Sequence, residues 1–326
     1  MKKIILTIVC LFGVLGANAQ TAKIALSHNG NLTLLDADQM TKALEQAVNG
    51  DTIYLNEGLF TGGFTINKQV SIIGAGENTF ISSGLTIALP NTPTLKAHLL
   101  DALYIRGPIT VQYAVDGLKI RKCAFDGITF SAEVKDALID RCRCYYNQNY
   151  TGYKDFVISD NVKGLTVINS KIARIYGNAP TAGAANFVNC DIYYMINNDT
   201  RSSLCRATYL NSVIQGFSYS SNSSYCDATT TYVNCLFRYN NYTYSINQGC
   251  FQYSNNVLNE STLNCTLDEA TLVNNKYLGT DGTIVGSGGG TTPYTLVPST
   301  PKVTDYTIKV DPNTKKLNVN IKVSAN

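Results

Sequence analysis

Hydrophobic and polar positions change rhythm along this chain. Residues 38–49 carry an apolar stripe at helical spacing: Met40, Ala43, Leu44, Ala47 and Val48. Asp38 is placed to cap that helix and Gly50 to end it. The period then falls to two. Thr52-Ile53-Tyr54-Leu55, Phe64-Thr65-Ile66 and Val70-Ser71-Ile72-Ile73 are separated by one or two turn residues. Strands this short need neighbours to be stable.

From about Leu118 the pattern repeats. With a small residue taken as position zero, the series is Cys123, Cys142, Ser170, Cys190, Ser212 and Cys235, at intervals of 19, 28, 20, 22 and 23 residues. The longest interval holds an excursion over 150–161. Position −3 reads Ile120, Ile139, Val167, Phe187, Tyr209 and Tyr232. Position +2 reads Phe125, Cys144, Ile172, Ile192, Ile214 and Phe237. Both are expected to point inward. Position −1 reads Lys122, Arg141, Asn169, Asn189, Asn211 and Asn234. A tight bend between strands needs a residue in the left-handed region, which asparagine tolerates best after glycine. A fixed period near 20 residues is a solenoid signature. The predicted fold is all-β, a right-handed parallel β-helix with an N-terminal capping helix and a C-terminal β-hairpin.

The predicted organisation is a signal peptide over 1–19, a strand and capping helix over 20–50, the β-helix over 51–278, a Gly/Pro/Thr-rich linker over 279–301 and the hairpin over 302–326. In the hairpin, Tyr306-Thr307-Ile308-Lys309-Val310 and Leu317-Asn318-Val319-Asn320-Ile321-Lys322-Val323 alternate cleanly about a turn at Asp311-Pro312-Asn313-Thr314. At the N-terminus, Lys2 and Lys3 precede a short apolar run over 4–15 and an Ala17-Asn18-Ala19 cleavage site. Export to the periplasm, cell surface or extracellular space is expected, with the mature chain starting at Gln20. Cys10 lies inside the apolar run and not at its end, which argues against lipidation. No later apolar stretch is long enough for a membrane helix.

The 26 Lys+Arg against 23 Asp+Glu become 24 − 23 = +1 without Lys2 and Lys3. That balance lacks the basic footprint of a nucleic-acid binder. Ten cysteines in an exported chain suggest disulfides at first. A position shared by Cys and Ser instead reads as a small, buried, stacking site, so reduced thiols in a ladder are expected. Cys205, Cys226 and Cys250 form a looser second series whose pairing stays open.

The stretch from Ala47-Val48-Asn49-Gly50-Asp51-Thr52-Ile53-Tyr54-Leu55 through Gly58, Phe60, Ile66, Lys68, Val70 and Ile73-Gly74-Ala75-Gly76 resembles the cap and first coil of pectin-lyase-like β-helix proteins, notably secreted members from gut Bacteroidetes. The tail with Gly279-Thr280-Asp281-Gly282-Thr283, Gly288-Gly289, Pro293-Tyr294 and Pro298 to Pro301 resembles their ending. This resemblance implies a polysaccharide lyase or hydrolase acting on an acidic polysaccharide, with Ca²⁺ as cofactor in the lyase case. The residues do not carry the motifs such enzymes use. Gly-Asp-Asp and Gly-His-Gly segments are missing, the only histidines are His28 and His98, and there is no Trp. Catalytic residues are therefore left unassigned, and no metal or cofactor is expected of a binding protein.

One surface constellation remains. Position +1 is expected to face outward and reads Ala124, Arg143, Lys171, Asp191, Val213 and Leu236; position +3 reads Asp126, Tyr145, Ala173, Tyr193, Gln215 and Arg238. Coils stack about 4.8 Å apart. Arg143, Tyr145, Lys171, Asp191 and Tyr193 are thus candidates for a shared carbohydrate-binding patch. In a lyase, Lys171 or Tyr193 would be the base. The plainer reading is that Lys171 and Asp191 form a cross-strand pair while the tyrosines cover the coil. The expected protein is a monomer that binds a polysaccharide or cell-surface glycan without turning it over.

Overall fold

The computed structural model describes residues 22–89, 99–145, 155–177, 179–196, 206–214, 231–237, 251–252, 278–294, 302–310 and 317–324. Signal-segment residues 1–19, residues 146–154, which include the start of the expected excursion, and Cys205, Cys226, Cys250 and Cys265 lie outside them. The chain is all-β, and the described residues form two large sheets of eleven and thirteen strands. Apart from the first strands, consecutive coils pair in parallel, which makes a β-solenoid.

The N-terminal end is closed by more than a helix. Strands β1 (Lys23–His28) and β2 (Asn31–Asp36) form an antiparallel hairpin, and β1 pairs antiparallel with β3 (Thr52–Leu55). Asn29 and Gly30 have φ of 47° and 83°, the two left-handed residues of a hairpin turn whose right-handed twist suits its strands. The single strand expected before the helix is thus two. The helix is shorter than expected: a 3-10 turn over Ala37–Gln39 leads into α1 (Met40–Gln46). Asp36 is the N-cap of the 3-10 turn and Gln39 that of α1, so Asp38 caps neither. The Asp36 N–H donates to Gln39 Oε1 at 3.2 Å. Val48 lies beyond the helix and is 48% exposed, whereas Met40, Ala43, Leu44 and Ala47 are buried. Lys68 Nζ ends the helix by donating to the carbonyls of Leu44, Glu45 and Ala47 at 3.0, 2.6 and 2.6 Å. A cation there also suits the negative end of the helix dipole.

From Leu99 onward each described coil runs along the first sheet, bends in two residues, and continues on the second. The coil Lys119–Arg121, bend, Ala124–Phe130 is typical. A short third face is formed where Val134–Lys135 pairs with Val115–Asp116. The bend has the expected conformation throughout: Lys122, Arg141, Asn169, Asn189, Asn211 and Asn234 have φ of 51°, 53°, 50°, 50°, 43° and 53°. Ala102, at φ 57°, extends the series back by one coil.

The small-residue column is buried and stacked. Each side chain donates to the carbonyl two residues before it, as in Ser170 Oγ to Ile168 O at 2.8 Å. It also reaches the coil below: Cys142 Sγ to Ile120 O, Cys190 Sγ to Val167 O and Cys235 Sγ to Tyr209 O, each at 3.4 Å. Serine adds something that sulfur supplies only weakly, a good acceptor. The Cys142 and Cys190 N–H groups donate to Ser170 Oγ at 3.0 Å and to Ser212 Oγ at 3.1 Å. Backbone ladder bonds serve the residues on either side of position zero. The five described cysteines, Cys123, Cys142, Cys144, Cys190 and Cys235, are free and buried, as the ladder reading requires.

The interior side chains grow larger along the chain. Position −3 passes from Ile120, Ile139 and Val167 to Phe187, Tyr209 and Tyr232, all buried. Phe187 stacks on Tyr209 at 5.2 Å and Tyr209 on Tyr232 at 5.0 Å. Phe156 meets Phe187 edge-on at 5.7 Å.

Residues 278–294 do not form an open connection where a linker was expected to begin. They lie as a strap along the asparagine bends. Asn189 Nδ2 donates to the carbonyls of Ser287 and Gly289 at 3.0 and 2.6 Å, and Thr292 Oγ1 donates to Asn189 Oδ1 at 3.1 Å. Thr280 donates to Asn234 Oδ1 from N–H and hydroxyl at 2.9 and 3.0 Å. Glycine is required where strap and bend touch. Gly290 has φ 73°, and a Cβ there would collide with Asn211 Nδ2. Residues 295–326 form a separate unit, in which Lys302–Val310 and Leu317–Ser324 pair antiparallel with Val310 opposite Leu317. The proposed turn at Asp311 to Thr314 lies outside the described residues.

Candidate functional site

The candidate patch lies on the outer face of the second sheet. Parallel pairing puts Leu59, Phe80, Tyr104, Ala124, Arg143, Lys171, Asp191, Val213 and Leu236 in one column. The expected +1 register is therefore correct. Its exposure is not uniform. Val213 and Leu236 are buried where Gly286 of the strap lies against them. Ala124 is buried between Tyr104 and Arg143. The outward expectation thus fails for these three residues, because larger neighbours or the strap cover a face that was expected to be open, and Asp191 in the same column is buried as well.

In the middle of the column the structure brings four of the five candidates together. Arg143 Nη1 pairs with Glu77 Oε1 at 2.7 Å, and its guanidinium carbon lies 5.1 Å from the centre of the Tyr145 ring. Lys171, the strand neighbour of both Arg143 and Asp191, has Nζ 3.7 Å from Asp191 Oδ2. Asp191 is only 8% exposed. Tyr145 meets Tyr104 at 6.0 Å, and Tyr104 meets Phe80 edge-on at 5.1 Å. The aromatic row thus continues into coils that the repeat analysis did not reach. Burial pushes the Tyr145 hydroxyl up, against the pull of Arg143 beside it. Tyr193 stands two residues beyond Asp191 and is 44% exposed. Among the described residues no hydrogen bond, ion pair or ring contact ties it to the other four.

Tyr294 was missed. It ends the described strap, with its N–H donating to Ser287 O at 2.7 Å, and it is half-buried. Its hydroxyl is pushed up by burial first and then by the charge of Asp191, while Arg143 pulls it down. Tyr294 is therefore within electrostatic reach of the same patch. Pro293-Tyr294 in a glycine-rich stretch gives no repeat signal, so only long-range folding could reveal it.

A second group was also missed. Asp126, expected outside, is 3% exposed. It lies with Cys144, Asp155 and Arg174, all buried. Arg174 Nε donates to Asp155 Oδ1. The Cys144 thiol is pushed up by burial and then by the charges of Asp155 and Asp126, with Arg174 opposing. The available signal was parity: Arg174 falls two residues after the inward Ile172, and an inward cation needs a partner. Breaking such a pair leaves a buried charge, which makes it a structural clamp.

Other chemistry is limited. Burial pushes the Cys123 and Cys190 thiols up to about 12, so they are poor nucleophiles. His28 Nδ1 bonds Asp51 Oδ1 at 2.8 Å, and Asp51 Oδ2 accepts the Val48 N–H at 2.8 Å; this links the hairpin turn to the end of the helix. Among the described residues no group of three or more His, Cys, Asp or Glu is arranged to hold a metal ion, and no helix is long and apolar enough to cross a membrane. No protein-family model, curated protein or solved structure matches the chain.

Proposed function

We propose that this protein is an exported β-solenoid that binds a glycan on the outer face of its second sheet and does not turn it over. One observation carries the reading: the row Phe80, Tyr104 and Tyr145 runs directly into Arg143, Lys171 and Asp191. Amphipathic rings beside fixed donors and acceptors are what a sugar surface requires. The resemblance of the 47–76 segment to secreted pectin-lyase-like proteins supports the glycan part of this reading, and the predicted signal segment over 1–19 supports export.

The test is a screen of the mature protein against plant, algal and host glycans. It follows binding, unsaturated product by ultraviolet absorbance, and reducing ends. Binding without turnover is expected, weakened about 3–10-fold by Tyr145→Ala, the loss of one ring contact and one cation–π contact. Turnover abolished by Lys171→Ala or Asp191→Ala would replace this reading with a lyase or hydrolase.

A further inference from the structure

Among the described residues the charges at the patch cancel. Arg143 is answered by Glu77 at 2.7 Å and Lys171 by Asp191 at 3.7 Å. Neither cation is held in reserve for an anionic ligand, and a carboxylate arriving there would meet Glu77 and Asp191 as well. A hydroxyl-bearing ligand has no such conflict. Adjacent hydroxyls can donate to a carboxylate and accept from an ammonium or guanidinium at once. The strap brings a further aromatic residue towards this group. Thr292 is bonded to Asn189, two residues before Asp191 in the chain, and Tyr294 follows two residues after Thr292. This brings an aromatic ring and a hydroxyl into electrostatic reach of Asp191, Arg143 and Tyr145 together.

Resting on the glycan-binding reading, we infer that Tyr294 completes a charge-balanced site walled by Tyr145, which takes a neutral glycan through its hydroxyl pairs and disfavours a uronate. The carboxylate of Asp191 accepts from sugar hydroxyls, Lys171 and Arg143 donate to them, and the two tyrosine rings cover apolar sugar faces. The charged pairs recognise the ligand without requiring it to carry charge.

Titration calorimetry on the full mature chain tests this with defined probes: xylohexaose, mannohexaose and cellohexaose against hexagalacturonate. At least one neutral hexasaccharide should bind at least about tenfold more tightly than hexagalacturonate, the order of one unfavourable close charge contact. Its Kd should change less than about twofold between 50 and 500 mM NaCl, because no net ion pair forms. Tyr294→Ala and Asp191→Asn should each weaken it about tenfold, and Tyr294→Phe, which keeps the ring and the fold, by less. Tighter binding of hexagalacturonate with strong salt dependence would overturn this inference and leave the glycan reading standing. Unchanged neutral-glycan affinity in a folded Tyr294→Ala variant would also overturn it. Binding of neither class, here or in the wider screen, would overturn both.

Discussion

The early and late coils share one backbone plan but hold their bends differently. In the early coils the left-handed position is filled by Ala102, Lys122 and Arg141, the −3 column is aliphatic, and the outer face carries an aromatic row. In the late coils the same position is asparagine, the −3 column is aromatic, and the strap is bonded to the bend at Asn189 and Asn234. The backbone pays the left-handed cost in both regions. Among the described residues only the late region recovers part of it through side-chain bonds to a segment 46 to 103 residues away. A solenoid coil is stabilised mainly by its neighbours, so distant contacts gather where the next coil alone is not enough.

Alkali offers the largest test, because it acts on thiols in both regions. The folded thiols of Cys123 and Cys190 are raised to about 12 from the ordinary 9.0. The raised value favours the neutral form, so their contribution is complete below pH 9 and is lost as pH climbs towards 12. Urea midpoints measured from pH 8 to 11 should fall, with several kcal/mol lost in total, and Cys123→Ser with Cys190→Ser should flatten that fall. A midpoint independent of pH would show that the thiols are not buried as described.

Core truncation comes next and separates the two regions by column. Phe187→Ala should cost about 3–5 kcal/mol, whereas Ile139→Val in the early coils should cost about 0.5–1.5 kcal/mol, both read by urea denaturation. Equal costs would mean that the aromatic stack is not packed as a column.

The strap gives the third test. Asn189→Ala removes three side-chain bonds to the strap and leaves an alanine in a left-handed bend. A loss of about 2–3 kcal/mol is expected, with faster proteolysis within 278–294. An unchanged proteolysis rate would show that the strap holds without Asn189.

The smallest expected effect has the opposite sign. Lys122→Asn should stabilise the early bend by about 0.5–1 kcal/mol, since asparagine accepts the left-handed conformation more readily. A destabilised variant would mean that asparagine helps only where the strap can use its side chain.

The bend series shows how much of the fold was legible. Cys/Ser at zero, Asn at −1 and apolar residues at −3 and +2 give parity and period without reference to any distant residue. Parity also placed Arg143, Lys171 and Asp191 in one column, because parallel coils in register stack equivalent positions. The hairpin before α1 was legible in principle from Asn29-Gly30 between alternating residues, and so was the inward Arg174. The helix end was not, because Lys68, 22 residues beyond Gln46, supplies the cap.

By itself, then, the sequence determined the periodic core and the register of the outer column, since both follow from local parity repeated coil after coil. Tertiary structure alone decided which parts of that column stay open. Gly286 covers Val213 and Leu236, and the strap carries Tyr294 to Asp191. The physical reason is that a repeat encodes contacts between neighbouring coils. The strap is aperiodic, and it finds its place only when already folded bends present asparagine amides and carbonyls to bond.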